Sequence, residues 1–104
     1  MFNLFGKKPD FVQMIRDGAV VIDVRTVNEF KSGHAKGAVN IPLNQIGTKM
    51  KKIQGYGKPI ITCCASGMRS GSAKSMLKSA GLEAHNGGPW HKMERAMQDA
   101  KVKV

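Results

Sequence analysis

Two short runs of apolar residues restrict the fold of this chain more than any other feature of its sequence. Residues 19–24 and 59–63 are nearly continuous in apolar character and rich in β-branched side chains. This pattern is typical of strands that are covered on both faces, as in parallel sheets. Shorter strands are predicted at 38–41 and 83–86. The sequence therefore predicts an α/β fold, with a small parallel β-sheet flanked by helices on both faces.

Segments of helical period lie between and after these strands, and each carries one apolar stripe. The stripes are Phe11, Met14 and Ile15; Ile46, Met50 and Ile53; Ala73, Met76, Leu77 and Ala80; and Trp90, Met93, Met97 and Ala100. Thr26 and Glu29 have the spacing of a capping box, which predicts a short helix that ends near Gly33. Gly18 and Gly81 follow two of the stripes as expected C-caps. The alternation of strand and helix predicts one domain over residues 1–104.

The charge of the chain favours anionic partners. Seventeen Lys and Arg residues against seven Asp and Glu give a formal net charge of +10. The basic residues are spread along the chain, and aromatic residues make up only 6% of it, so a stacking platform for nucleic acid is not expected. We expect a small anionic ligand or an acidic protein as the partner instead.

The termini and hydropathy of the sequence bear on where the chain is expected to reside. No stretch approaches the ~20 apolar residues that a membrane-spanning helix needs. Residues 1–8 lack the basic start, apolar region and cleavage site of a secretory signal. We therefore expect a cytoplasmic protein. At this chain length we expect a monomer.

The cysteine and histidine residues give no pattern of a metal site or a disulfide framework. Cys63 and Cys64 are adjacent, so they have neither the spacing of a disulfide scaffold nor the spaced partners of a zinc site. His34, His85 and His91 show no ligand spacing either, and we assign no metal. Packing or reactivity remains as the role of the two thiols.

The segment after the second apolar strand contains the most informative motif. The strand ends at Cys63 and Cys64, a loop of small residues follows, and a helix begins at once. Ligands of parallel α/β sheets bind beyond the carboxyl ends of the strands. Successive backbone N–H groups and the helix N-terminus would form an anion trap there. Together with Arg69, they predict a reactive thiolate in the loop.

The loop resembles the active-site loop of the rhodanese superfamily, which reads Cys-x-x-Gly-x-Arg and is matched by Cys64, Gly67 and Arg69. The similarity also covers the region from Val21 to Pro42 and the glycine pair before Trp90. The resemblance implies a sulfurtransferase in which Cys64 is the nucleophile. The same resemblance implies that the loop binds the substrate anion through Ala65, Ser66, Gly67, Met68 and Arg69.

The reaction implied for such a loop moves sulfane sulfur through a Cys64 persulfide. The donor would be thiosulfate or a persulfide, the acceptor a small thiol or a thioredoxin-like protein, and no cofactor is expected. Asp23 and Arg25 follow the first strand, and we expect them to form a pair that braces the loop. His34 resembles a family residue that holds this connection of the chain. Sulfur transfer from a thiolate needs no general base, so we do not assign that role to His34.

Two alternatives belong to other functional classes. Cys63 and Arg69 have the Cys-x5-Arg spacing of phosphatases and arsenate reductases, although Gly67 then falls one position later than in tyrosine phosphatases. The second alternative is a rhodanese fold that has no activity and serves as a protein-binding module. The retained Cys64 argues against that module, because a lost nucleophile would be its sequence mark.

Overall fold

The structure is a computed structural model that describes residues 9–102. Residues 1–8, on which the cytoplasmic prediction partly depends, lie outside the described residues, as do both ends of the predicted domain 1–104. In the described part of the chain, no helix is long and apolar enough to cross a membrane.

The described residues contain a sheet of four parallel strands. The strands are β1 (Val20–Asp23), β2 (Val39–Asn40), β3 (Ile60–Cys64) and β4 (Ala84–Pro89). Their spatial order is β2-β1-β3-β4, so the two apolar runs of the sequence form the centre of the sheet. All four strands end at one edge, because they are parallel. The loop after β3 lies at that edge.

Five α-helices and one short 3-10 helix accompany the strands in the described region, with α1 before the first strand and α5 after the last. The α-helices are α1 (Phe11–Arg16), α2 (Val27–Ser32), α3 (Met50–Gly55), α4 (Met68–Ser79) and α5 (Trp90–Ala100), and the 3-10 helix is Leu43–Gln45. Thr26 and Glu29 form the predicted capping box at the start of α2, and Gly33 is its C-cap. The predicted α/β fold is confirmed.

The sheet has a separate apolar core on each face. One core packs Ile22, Ile60 and Cys64 against α3 and α4, which contribute Ile53 and Leu77. The other core contains Val21, Ile61, Cys63, Met93 and Ala96, and the apolar residues of α1 pack against it. Side chains of a strand alternate between faces, so consecutive residues of β3 enter different cores.

The structure corrects some details of the predicted stripes. Met76 is 41% exposed, because α4 turns Ala73 and Leu77 rather than Met76 toward the sheet. Ile46 is buried, as expected, but it follows the 3-10 helix and lies outside α3. The predicted strand at 38–41 has only two residues, whereas β4 continues three residues beyond the predicted strand at 83–86.

The extension of β4 requires a glycine at one close contact. A Cβ atom at Gly87 would lie 2.7 Å from Met93 Sδ and 2.9 Å from both the Thr62 carbonyl oxygen and an Ile61 methyl group. No side chain fits between β4, β3 and α5 at that point. The close approach holds β4 against β3 directly beside the loop that follows Cys64.

Candidate active site

Cys64 lies at the carboxyl end of β3, with its side chain on the α4 face of the sheet. The side chain is fully buried, and three hydrogen-bonding groups converge on its sulfur. The Gly67 N–H donates to Sγ at 3.0 Å and the Ser70 N–H at 3.4 Å, while the Ser70 hydroxyl lies 3.3 Å from Sγ. The loop therefore curls around the sulfur and directs two backbone N–H donors toward it, with the Ser70 hydroxyl beside them.

These donors favour the ionised form of Cys64. Burial raises the pKa of the thiol, but hydrogen bonds that the ionised sulfur can accept from the Ser70 hydroxyl, the Ser70 and Gly67 amides and the Ser66 amide outweigh it. The net result is a pKa of Cys64 below its ordinary value of 9.0. A thiolate is the nucleophilic form of cysteine, so the site is suited to attack by sulfur.

Cys63 faces the opposite core and has a different environment. It is fully buried between β1 and α5, among Val21, Ile61 and Met93. Burial, with a further contribution from the Asp23 carboxylate, raises the pKa of Cys63 to about 12. Among the described residues, no hydrogen bond donor reaches its sulfur. Cys63 therefore packs in the core, and its neutral thiol form is favoured near neutral pH.

The loop residues predicted from the sequence surround Cys64, but they contribute in different ways. Gly67 has φ +103°, and a Cβ there would lie 3.4 Å from the Cα of Gly88, so the turn needs glycine. Ser66 stabilises the turn through its side chain, which accepts a hydrogen bond from the Met68 N–H at 3.4 Å. Ala65 and Met68 are exposed, and Met68 reaches 81%. They form the rim of the loop.

Arg69 has a partner that the sequence analysis did not anticipate. Its guanidinium donates to both carboxylate oxygens of Glu29, at 2.7 and 3.0 Å. The hydrogen bond from Arg69 holds the pKa of Glu29 at about 2, so the pair stays ionised at neutral pH. The pair ties α2 to the start of α4. The predicted contact of Arg69 with a substrate anion stays a prediction.

Asp23 and Arg25 form the predicted pair at the end of β1. Arg25 donates to both oxygens of Asp23, at 3.0 to 3.1 Å through Nε and at 2.7 Å through Nη2, and both residues are buried. The Arg25 guanidinium also donates to the Gly33 carbonyl at 2.7 Å and lies 4.7 Å from the ring centroid of Trp90. It thereby joins β1, the end of α2 and the start of α5 below the loop.

His34 lies in the connection between α2 and β2 and contacts Phe30. Its Nδ1 donates to the Phe30 carbonyl at 2.8 Å, and its ring stacks on Phe30 at 3.7 Å between centroids. These contacts give it the structural role that the sequence analysis proposed.

The sequence analysis missed two polar residues of the site, Ser70 and Asn86. Ser70 is buried on the first turn of α4, where the Thr62 hydroxyl donates to its carbonyl at 2.8 Å. Asn86 lies on β4 and contacts both Ser70 and Gly67. A hydroxyl two residues into the helix was a readable signal for Ser70. Asn86 gave none, because its approach depends on how β4 pairs with β3.

The fold and the loop together define a class of protein: an open parallel α/β domain that holds a cysteine sulfur at a strand end, facing two loop amides and beside a helix N-terminus. Residues 8–88 match the family model of the rhodanese-like domain. The chain belongs to the rhodanese-like domain family.

Several relatives and solved structures resemble this chain. It is 43% identical over 63 residues to the uncharacterized protein YqhL of Bacillus subtilis, a match covering 61% of this chain and 49% of YqhL. It is 30% identical over 71 residues to thiosulfate sulfurtransferase GlpE of Haemophilus influenzae, which covers 68% of this chain and 67% of that one. A solved structure of a rhodanese with anions from E. coli has a TM-score of 0.66 and 27% identity, and covers 72% of this chain and 91% of its own.

The lengths of the relatives differ from that of this chain. The match to YqhL spans 49% of that protein, and a match to the protein slr1261 of Synechocystis spans 42%. The chain thus matches about half the length, or less, of these relatives.

Proposed function

We propose that this chain is a sulfurtransferase that moves sulfane sulfur from thiosulfate or a persulfide donor to a thiophilic acceptor. The proposal rests on one observation above all: two amides and a hydroxyl converge on the Cys64 sulfur within 3.0 to 3.4 Å. The relationship to GlpE, a thiosulfate sulfurtransferase by name, supports the reaction class.

In the first half reaction, the Cys64 thiolate attacks the outer sulfur of thiosulfate. A new S–S bond forms, the bond between the outer sulfur and the sulfonate sulfur breaks, and sulfite leaves with the bonding electron pair. The amides of Gly67 and Ser70 act at contact distance on the negative charge of the sulfur. Cys64 becomes a persulfide whose terminal sulfur carries the charge.

In the second half reaction, a thiophile attacks the terminal sulfur of the persulfide. With cyanide the product is thiocyanate, and the electron pair of the broken S–S bond returns to Cys64 as a thiolate. The two steps share no ternary complex, so the kinetics should be ping-pong. Neither step requires a proton transfer at the sulfur, so neither needs a general base.

The partners follow from the charge and from the rim of the loop. The formal charge of +10 favours an anionic donor such as thiosulfate, and an acceptor that is a small thiol or an acidic thioredoxin-like protein. Met68, 81% exposed at the loop, supplies an apolar contact for such a protein. We infer further that the chain acts as one domain over 1–104, as a cytoplasmic monomer.

The structure does not favour the phosphatase or arsenate reductase alternative. That mechanism needs Cys63 as the nucleophile, but the Cys63 side chain faces the core between β1 and α5, and burial raises its pKa to about 12. The loop amides point at Cys64 instead. Cyanolysis addresses the binding-module alternative, since only a protein that carries a persulfide releases thiocyanate.

Intact mass spectrometry after incubation with thiosulfate tests the proposal. We expect a gain of one sulfur atom in the wild-type protein and in Cys63→Ser, and none in Cys64→Ser. Cyanide should then remove the added sulfur as thiocyanate. A wild-type protein that gains no sulfur from thiosulfate or from a persulfide donor would contradict the proposed reaction.

A further inference from the structure

Asn86 makes three hydrogen bonds at the side of the reactive loop. Its Nδ2 donates to the Gly67 carbonyl at 2.9 Å. Its Oδ1 accepts from the Gly88 N–H at 2.9 Å and from the Ser70 hydroxyl at 2.7 Å. The side chain therefore connects β4, the centre of the loop and the first turn of α4.

The two backbone contacts fix the orientation of the Asn86 amide. A carbonyl can only accept and a backbone N–H can only donate, so Nδ2 must face Gly67 and Oδ1 must face Gly88. The Ser70 hydroxyl, 2.7 Å from Oδ1, is then the donor in that contact.

This assignment determines what the Ser70 hydroxyl offers to Cys64. A hydroxyl has one proton, and here that proton points to Asn86. Toward Sγ, 3.3 Å away, the hydroxyl presents a lone pair, which accepts from the S–H of a neutral Cys64. The network of Asn86, Ser70 and Cys64 is thus complete when Cys64 is a thiol.

The same network cannot persist unchanged when Cys64 ionises. A thiolate has no proton to donate, and a hydroxyl lone pair directed at it is repulsive. Ser70 gains a charge-assisted hydrogen bond by rotating its proton to Sγ. Asn86 Oδ1 then loses that bond and retains the one from the Gly88 N–H, while the thiol proton leaves to solvent.

We propose that Asn86 is a positioning residue that sets the direction of the Ser70 hydroxyl: it holds the hydroxyl proton while Cys64 is a thiol and gives it up when the sulfur becomes anionic. This inference rests on the proposed function only in that Cys64 is the reacting sulfur. Asn86 acts on the sulfur through Ser70, and its own side-chain hydrogen bonds go to Ser70, Gly67 and Gly88.

A double-mutant cycle on the Cys64 pKa tests this role. Asn86→Asp keeps an oxygen toward Ser70 and Gly88 but makes it a stronger, charged acceptor, which should hold the Ser70 proton and raise the Cys64 pKa. The same substitution is made together with Ser70→Ala, where only the direct effects of the charge and of the Gly67 contact remain. The rate of alkylation against pH reports each pKa, in proteins that also carry Cys63→Ser.

We expect Asn86→Asp to raise the Cys64 pKa more in the protein with Ser70 than in the protein with Ser70→Ala. The two increases should differ by about half a unit or more, which is the difference between a neutral and a charged acceptor. Ser70→Thr keeps a hydroxyl and should restore the larger increase. Equal increases with and without the hydroxyl would overturn the proposal. Alkylation needs no sulfur transfer, so this result is separate from the test of the proposed function.

A second measurement leaves Asn86 unchanged, in case Asn86→Asp prevents folding. The infrared S–H stretch of Cys64, recorded at acidic pH in Cys63→Ser, reports whether the thiol donates a hydrogen bond. We expect a lower frequency with Ser70 present than in Ser70→Ala. An identical frequency in both proteins would show that the thiol does not donate to Ser70, and the assigned direction would be wrong.

Discussion

The two cysteines of this chain are neighbours in sequence and opposites in environment. Cys63 enters the apolar core beneath α1 and α5, while Cys64 enters the region beneath the start of α4. The pKa of Cys63 is raised to about 12 by burial, whereas that of Cys64 lies below 9.0 because of amide and hydroxyl donors. Both side chains are fully buried, so exposure does not separate them.

The difference shows that burial alone does not decide the reactivity of a thiol. What matters is whether the buried sulfur meets hydrogen bond donors or apolar groups. The period of two along β3 assigns one cysteine to each environment, and a shift of one residue would exchange them.

The largest expected effect is the loss of sulfur transfer when Cys64 is replaced. Cys64→Ser should reduce thiosulfate:cyanide transfer to background, since the hydroxyl cannot form a persulfide. Cys63→Ser should retain most of the activity but lower the free energy of unfolding by about 1–3 kcal/mol, because it buries a hydroxyl without a partner. Steady-state assays and denaturant unfolding measure the two quantities.

The matched control for this pair is Cys63→Ala, which removes the thiol without adding a polar group. It should also retain the activity. A Cys63 variant that folds but loses transfer, beside an active Cys64→Ser, would reverse the roles assigned to the two thiols.

The second prediction concerns the rates at which the two thiols are alkylated. The pKa of Cys63 exceeds that of Cys64 by at least three units, since the values are about 12 and below 9.0. The thiolate fraction of Cys64 is then about a thousandfold larger than that of Cys63. The less basic thiolate of Cys64 is also the weaker nucleophile, which offsets about half of this factor on a logarithmic scale. We expect Cys64 to react about thirtyfold faster or more.

Single-cysteine proteins make this measurement direct: Cys63→Ser reports Cys64, and Cys64→Ser reports Cys63. The rate for Cys64 should rise with pH and level off at an inflection below 9.0. An inflection at or above that value would mean that the loop amides do not stabilise the thiolate.

The contrast between the cysteines was partly readable from the sequence. The apolar runs identified β1 and β3, and the resemblance of Cys64, Gly67 and Arg69 to the rhodanese loop singled out Cys64, whose sulfur the loop amides face. These inferences depend on local pattern, such as the period of a strand and the need for glycine in a tight turn. The Thr26 capping box was readable for the same reason.

The remaining parts of the site depend on contacts between distant segments. Glu29 pairs with Arg69 across forty residues, and Asn86 reaches Ser70 across sixteen. Neither pairing has a local pattern, because each follows from the way α2 and β4 pack beside the loop. The prediction that Met76 belongs to the buried stripe of α4 was wrong for a related reason. The rotation of that helix over the sheet decides which of its apolar residues are buried.

The third prediction tests how much Arg69 contributes to the binding of thiosulfate at Cys64. Arg69→Lys replaces a planar fork by a point charge, which cannot hold two oxygens at once. We expect the KM for thiosulfate to rise about tenfold, the equivalent of one lost charge-assisted hydrogen bond, with little change in Tm. The alkylation rate of Cys63 should not change.

A matched variant, Glu29→Gln, releases Arg69 from its ion pair and should leave the KM for thiosulfate unchanged or lower it. A rise in KM would show that Arg69 serves to tether α2 to α4 rather than to bind the anion.

The smallest expected effect concerns the positive charge around the loop. Raising the ionic strength shortens the Debye length from about 10 Å at 0.1 M to about 3 Å at 1 M, which screens the attraction of thiosulfate by the net charge of +10. The KM for thiosulfate should therefore rise by a few-fold. Turnover at saturation should change little, since the amides that face Cys64 act at 3.0 to 3.4 Å, where screening is weak. A KM that stays flat across this range, with tight binding of duplex DNA at physiological salt, would show that the charge serves nucleic acid instead.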